Sequence, residues 1–172
     1  MEHIKNKFTL ETINRDLFER VFQIYDTNQE YFMISMNGKP SMKSVIEDMN
    51  AIPPESSCEK KNYKLIKLND LDIGVIDYIV NYPDEDTIYI GLFMIDGRFH
   101  RDGYGREFLK EFIRIIKSQG FKKIRIGVLD NNETALKFWI NSGFKIVKEV
   151  ISTFHPERNW IIKVMEKDLK ID

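Results

Sequence analysis

The run Phe99-His100-Arg101-Asp102-Gly103-Tyr104-Gly105-Arg106-Glu107-Phe108-Leu109 has the residue types and spacing of an anion site. It follows an apolar run, residues 89–95, and opens an amphipathic stretch. The first N–H groups of a helix have no intrahelical partner. The helix dipole adds roughly 0.3–1 kcal/mol of preference for negative charge there. Gly103 and Gly105 let a bulky anion approach the backbone, and Arg101 and Arg106 can pair with phosphate oxygens. A strand–turn–helix of this kind suits a pyrophosphate. Two nucleotide fingerprints do not fit. Arg106-Glu107 stands where a P-loop needs Lys-Ser or Lys-Thr, and Phe108 stands where a dinucleotide turn needs a third glycine. A glycine-rich helix start without a ligand has the same spacing, so this run alone leaves both readings open.

A second stretch, residues 132–144, reads Asn-x-x-Ala, two residues, an apolar residue, an aromatic, three residues, then Gly-Phe. By itself it is an amphipathic helix ended by glycine. Cys58, the sole cysteine, excludes an intrachain disulfide and a cysteine metal site and fits a reducing cytoplasm. It sits in a polar loop and reads as a bystander.

The elements that must position these stretches alternate in period. Phe8–Thr12 alternates as a short strand, and Asn14 caps a helix whose stripe is Leu17, Phe18, Val21, Phe22, Ile24 and Tyr25. Gln29–Met36 is a second short helix. Residues 41–51 form a third, capped by Ser41 with Val45, Ile46 and Met49 inward. Three strands follow, 63–68, 73–81 and 87–95, joined by turns at 69–72 and 82–86, so they form an antiparallel meander. The helix from Gly103 turns Phe108, Leu109, Phe112, Ile113, Ile115 and Ile116 inward and ends at Gly120. Strand 122–128 then lies parallel to its predecessor. Asp130 with Glu133 is read as a capping box for a helix with Ala135, Leu136, Trp139 and Ile140 on one face. Residues 144–154 and 160–169 make a final hairpin around His155. This order predicts one α/β domain over residues 1–172, an α+β mixed sheet of about seven strands with a central β-α-β unit. Near-zero net charge argues against a general nucleic-acid or membrane-surface binder. No apolar run approaches the ~18 residues of a membrane helix, and residues 1–7 do not read as a signal peptide.

Together, the two stretches and the element order resemble the GCN5-related N-acetyltransferase superfamily. Its phosphate turn, Gln/Arg-x-x-Gly-x-Gly/Ala, reads here His100-Arg101-Asp102-Gly103-Tyr104-Gly105, and its Asn-x-x-Ala and Gly-Phe signature matches residues 132–144. The resemblance implies acetyl-CoA as cofactor and a cytoplasmic N-acetyltransferase acting on a small-molecule or peptide primary amine. It implies backbone contacts to the pantetheine arm from Phe93, Met94 and Ile95. It gives the pyrophosphate to the N–H groups of residues 101–106, and the thiol end to Asn132, Ala135 and Phe138. The strands on either side of the cleft should splay apart. A homodimer through an exposed sheet edge or the C-terminal strands is also implied. The chain departs from the family at three positions: His100 starts the turn, Trp139 stands where many members carry an acidic Tyr, and Gly91 stands at the position of a frequent basic Glu. Asp77, alone in an apolar strand, is the substitute base; the competing reading is an Asp paired to a neighbouring strand or helix end. The acceptor pocket is expected from residues 25–49 and the His155 hairpin. Without the usual Tyr and Glu, a non-catalytic CoA-binding module or an interaction domain on the same fold is the alternative.

Overall fold

The computed structural model describes residues 7–153 and 156–169. One mixed sheet contains β1 (Phe8–Thr12), β2 (Lys61–Leu68), β3 (Leu71–Val80), β4 (Thr87–Ile95), β5 (Lys123–Leu129), β6 (Lys145–Ile151) and β7 (Ile161–Asp168). Helices α1 (Phe18–Asp26), α2 (Gln29–Met36) and α3 (Met42–Asn50) lie between β1 and β2 in the chain. Helix α4 (Tyr104–Ser118) joins β4 to β5, and α5 (Glu133–Asn141) joins β5 to β6. The strand order is β1-β2-β3-β4-β5-β7-β6. Only β4 and β5 are parallel, because the α4 crossover returns the chain to the same end of the sheet.

Both faces of the sheet are covered, as an apolar sheet requires. Phe108, Leu109, Phe112 and Ile116 of α4, with Trp139 of α5, pack on Ile76, Ile88, Ile90, Ile124 and Ile126. On the other face Val21, Ile24, Tyr25, Phe32 and Val45 from α1–α3 pack on Leu65, Val75, Leu92 and Met94. Strand β3 is buried on both faces, which accounts for its apolar run and makes Asp77 conspicuous within it.

Local chemistry sets the helix ends. Asn14 accepts a bond from the Asp16 N–H at 2.9 Å, and Ser41 and Ser44 cap α3 reciprocally. Helix α5 starts differently from the sequence expectation. Asn132, not Asp130, is its cap, with Oδ1 accepting from the Ala135 N–H at 3.1 Å. The first hairpin turn is only Asn69-Asp70; Asn69 is left-handed (φ 54°), and Leu71 already belongs to β3. Ile46 (43 % exposed) and Ile140 (52 %) do not join the core, because each sits one step around the helix from its buried neighbour, Val45 or Trp139. β6 and β7 form the expected antiparallel pair, and His155 between them lies outside the described residues. No helix among the described residues is long and apolar enough to cross a membrane.

Candidate active site

The sheet opens in its middle. β4 and β5 pair only from Thr87↔Lys123 to Ile90↔Ile126. Beyond that point β4 stays with β3 as far as Ile95, and β5 stays with β7 as far as Leu129. The two strands therefore diverge, and the cleft between them begins at Gly91 on one lip and Gly127 on the other, both exposed. Neither lip carries a side chain to fill the notch. Gly91 is also an extra residue in β4: Asp77 pairs with Leu92 and Tyr78 with Ile90, leaving Gly91 as a bulge.

The turn after β4 is built to hold backbone N–H groups open. Gly103 takes a left-handed conformation (φ 84°) that an L side chain disfavours. The Glu107 N–H is the first of α4 to find a helical partner, the Gly103 carbonyl at 3.1 Å. Those of Tyr104, Gly105 and Arg106 precede it without one. A Cβ on Gly105 would stand 3.3 Å from the Ile95 side chain and 3.7 Å from the Phe138 ring, so the turn, β4 and α5 converge there. Phe138 also packs 5.8 Å from Phe93. Arg101, Asp102 and Arg106 are exposed around this wall. His100 has a different role from a free donor: its Nε2 lies 2.8 Å from the Ile95 carbonyl, stapling the turn to the end of β4. That carbonyl also accepts from Asn28 Nδ2 at 3.0 Å. Met94 points into the opposite core, so only its backbone is available. Tyr104 packs on Phe99, and the Asn132 side chain and Ala135 N–H bond each other in the cap. Trp139 is buried against Phe93, Phe138 and Phe144 and presents no acid to the cleft.

Asp77 is paired to a neighbouring strand and also lies beside the bulge. Its Oδ2 pairs with Lys61 Nζ at 2.6 Å, the neighbouring-strand partner. The same oxygen lies 3.3 Å from where a Cβ on Gly91 would project. A carboxylate from β3 thus occupies the space beside the bulge that a β4 side chain would otherwise enter. Asp77 Oδ1 is buried and has no hydrogen-bond partner among the described residues. Burial pushes its carboxyl above the ordinary carboxylate range, and the Lys61 ammonium offsets part of that rise.

Lys61 and Asp48 escaped the sequence reading, and Tyr89, a strand tyrosine expected to pack, stands at the second lip. Lys61 stands diagonally across the hairpin from Asp77 and also donates to the Ala51 carbonyl at 2.8 Å. Tyr89 Oη lies 3.5 Å from the position of a Cβ on Gly127, at the second lip, and burial raises its phenol pKa so that it holds its proton. Asp48 of α3 accepts from Tyr25 Oη at 2.6 Å, and Tyr25 Oη is 2.7 Å from Tyr63 Oη.

A sequence model of the acetyltransferase (GNAT) family matches residues 11–144. The chain belongs to the GNAT acetyltransferase family. As a GNAT enzyme it is an N-acetyltransferase that uses acetyl-CoA. Curated protein sequences give no significant match. Among solved structures, an acetyltransferase from Thermus thermophilus superposes with a TM-score of 0.73 at 16% identity, covering 95% of this chain and 97% of that one. Ard1 from Thermoplasma volcanium gives 0.65 at 20% identity, covering 96% and 100%. The PaiA N-acetyltransferase from Thermoplasma acidophilum, solved in complex with coenzyme A, gives 0.64 at 14% identity, covering 95% and 99%. At these identities the likeness is one of fold. The GNAT site fits its cofactor on its own geometry: an open notch between β4 and β5 for a narrow chain, and a helix start with unpaired N–H groups for a pyrophosphate.

Proposed function

We propose that this GNAT enzyme transfers the acetyl group of acetyl-CoA directly to a primary amine, with Asp77 as the base. The observation that carries this reading is the Asp77 carboxylate beside the Gly91 bulge, where the missing β4 carboxylate would act. Acetyl-CoA, when bound, supplies the activated acyl group. The N–H groups at the start of α4 hold phosphate, and the β4 edge beyond Ile90 takes the pantetheine arm by backbone contacts from Phe93, Met94 and Ile95. Gly91 leaves the cleft open for the amine to meet the thioester, and alignment there lowers the barrier.

An ammonium cannot attack, so its proton must leave first. Asp77 accepts it. A carboxyl raised by burial is a better base than an exposed one. Tyr89, whose hydroxyl stands at the Gly127 lip, donates to the leaving sulfur, the part that Trp139 cannot play. Two protons leave the ammonium nitrogen, one to Asp77 before attack and one as the amide forms; one is made up on sulfur through Tyr89 and the other is released to solvent, so the cycle balances. Tyr89→Phe keeps the ring and removes the donor. The expected result is a loss of about a hundredfold in kcat with the fold intact, read by thiol release; unchanged kcat would remove Tyr89 from this role.

Calorimetric titration of acetyl-CoA tests the cofactor half of the reading. Gly103 has open space around its Cβ position, so Gly103→Glu places a negative charge at the turn without a clash, at roughly 1–2 kcal/mol of backbone strain. Binding to the native chain and at least a tenfold loss in the variant are expected, about 1.4 kcal/mol. Equal affinity would move the pyrophosphate elsewhere. No binding by the folded native chain would leave the interaction-domain alternative. We place the enzyme in the cytoplasm, given its unpaired Cys58. A homodimer would use β6, the sheet-edge strand whose seven residues are all exposed.

A further inference from the structure

The acceptor-side layer contains a carboxylate with no cation of its own. Lys61, the ammonium of this layer, is consumed by Asp77 and by the Ala51 carbonyl. Asp48, half-buried on α3, makes no ion pair among the described residues. Its Oδ2 takes the Tyr25 hydroxyl, and among the described residues its Oδ1 takes nothing. Burial pushes its carboxyl up to about 6; the Tyr25 hydroxyl and Lys61 oppose the rise, and Asp77 and Glu47 add to it. A hydrogen-bond cap for Tyr25 would not need a charge; a neutral amide would accept the same bond.

The surroundings are aromatic. Tyr25 bridges Asp48 to Tyr63, and Tyr63 is the direct cross-strand partner of Asp77. Phe32 packs 5.0 Å from Tyr25 and 5.1 Å from Tyr31. Tyr25, Phe32 and Tyr63 are packed in the core and wall the Asp48 carboxylate, and Tyr31, half-buried, is the ring left for a positive charge to approach. With Asp48 ionised, the layer holds two carboxylates against one ammonium. Asp77 Oδ1, on a side chain nine-tenths buried, also lacks a partner among the described residues. A carboxylate partly desolvated without a cation is unfavourable, and a positive charge on a ligand would relieve it.

We infer that Asp48, framed by Tyr25, Tyr31 and Tyr63, binds a second positive charge on the acceptor, so that the substrate is a diamine rather than a simple monoamine. The inference rests on the reading that transfer occurs beside Asp77. The reacting amine sits at Asp77 and the Gly91 bulge. The remote ammonium sits at Asp48, at the far end of the Tyr63–Tyr25 bridge.

Acetyl-CoA turnover is measured by thiol release with diaminobutane and with butylamine, which differ only in the second amine. At pH 8 the native enzyme should favour diaminobutane in kcat/KM by at least about tenfold. Asp48→Asn, checked by thermal unfolding, should bring that ratio to within about threefold of unity, chiefly through KM for the diamine. Asp48→Glu keeps the charge and should retain part of the preference. Equal use of both amines by the native enzyme would overturn the inference. So would a preference that survives Asp48→Asn, or acetyl-CoA binding with neither amine consumed. Failure of the underlying reading looks different: acetyl-CoA would not bind, or turnover would be indifferent to Asp77.

Discussion

Asp77→Asn is expected to lower kcat/KM by about a hundred- to ten-thousandfold, the usual contribution of a positioned general base. The substitution keeps the size of the side chain and its bond from Lys61, so acetyl-CoA binding by calorimetry should persist. The pH profile separates a chemical role from a structural one. In the native enzyme, kcat/KM should fall on the acid side as Asp77 takes up a proton. That limb should lie above the ordinary carboxylate range, because burial raises the group more than Lys61 lowers it. In Asp77→Asn the limb should vanish, leaving only the titration of the amine. A variant that retains the acid limb, or loses less than threefold, would assign the base elsewhere. Asp48 is then the next carboxylate in the layer.

What the sequence made legible was local. The glycines at 103 and 105, the apolar stripe of α4 and the Gly143-Phe144 stop depend on neighbours within a few residues, and short-range rules read them well. The bulge at Gly91 was not legible, since a bulge is a mismatch between two strands and leaves no mark on either alone. Lys61 was hidden for the same reason. Counting back from the Asn69-Asp70 turn sets Tyr63 opposite Ile76; the register shift between Ile66 and Lys67 moves Asp77 opposite Tyr63 and makes Lys61 its diagonal neighbour. Asp48 was missed for another reason: a polar residue in an amphipathic helix is assigned to solvent by default. It lies three positions after buried Val45, on the same side of α3, and faces the tyrosines of two other elements. Asn132 takes the capping role expected of Asp130, and the Asn-x-x-Ala spacing is itself that of a cap and the third helical N–H.

Lys61→Met should destabilise the protein by about 3 kcal/mol at pH 8, the lower end of what breaking a buried pair costs. Both side chains are almost inaccessible, 7% for Lys61 and 10% for Asp77, so solvent cannot take over the lost partner. At about 2–4 °C per kcal/mol for a chain of this size, the midpoint should fall by roughly 6–12 °C. The direction with pH follows from Asp77. Its folded pKa is already above the unfolded value near 3.9, and removing Lys61 raises it further. The folded state then holds the proton more tightly than the unfolded state, so the penalty is full above the folded pKa. It fades as pH falls through that value and is gone below the unfolded one. Native and variant midpoints should therefore converge between pH 8 and pH 4. Lys61→Met with Asp77→Asn removes both charges and should recover more than half of the loss, since replacing a whole buried pair is often close to neutral. Strict additivity of the two single changes, or a gap independent of pH, would mean that the pair is not coupled. Asp77 would then be held at the bulge by packing alone. The same variant also reports on chemistry: with Lys61 gone, the acid limb of kcat/KM should move to higher pH.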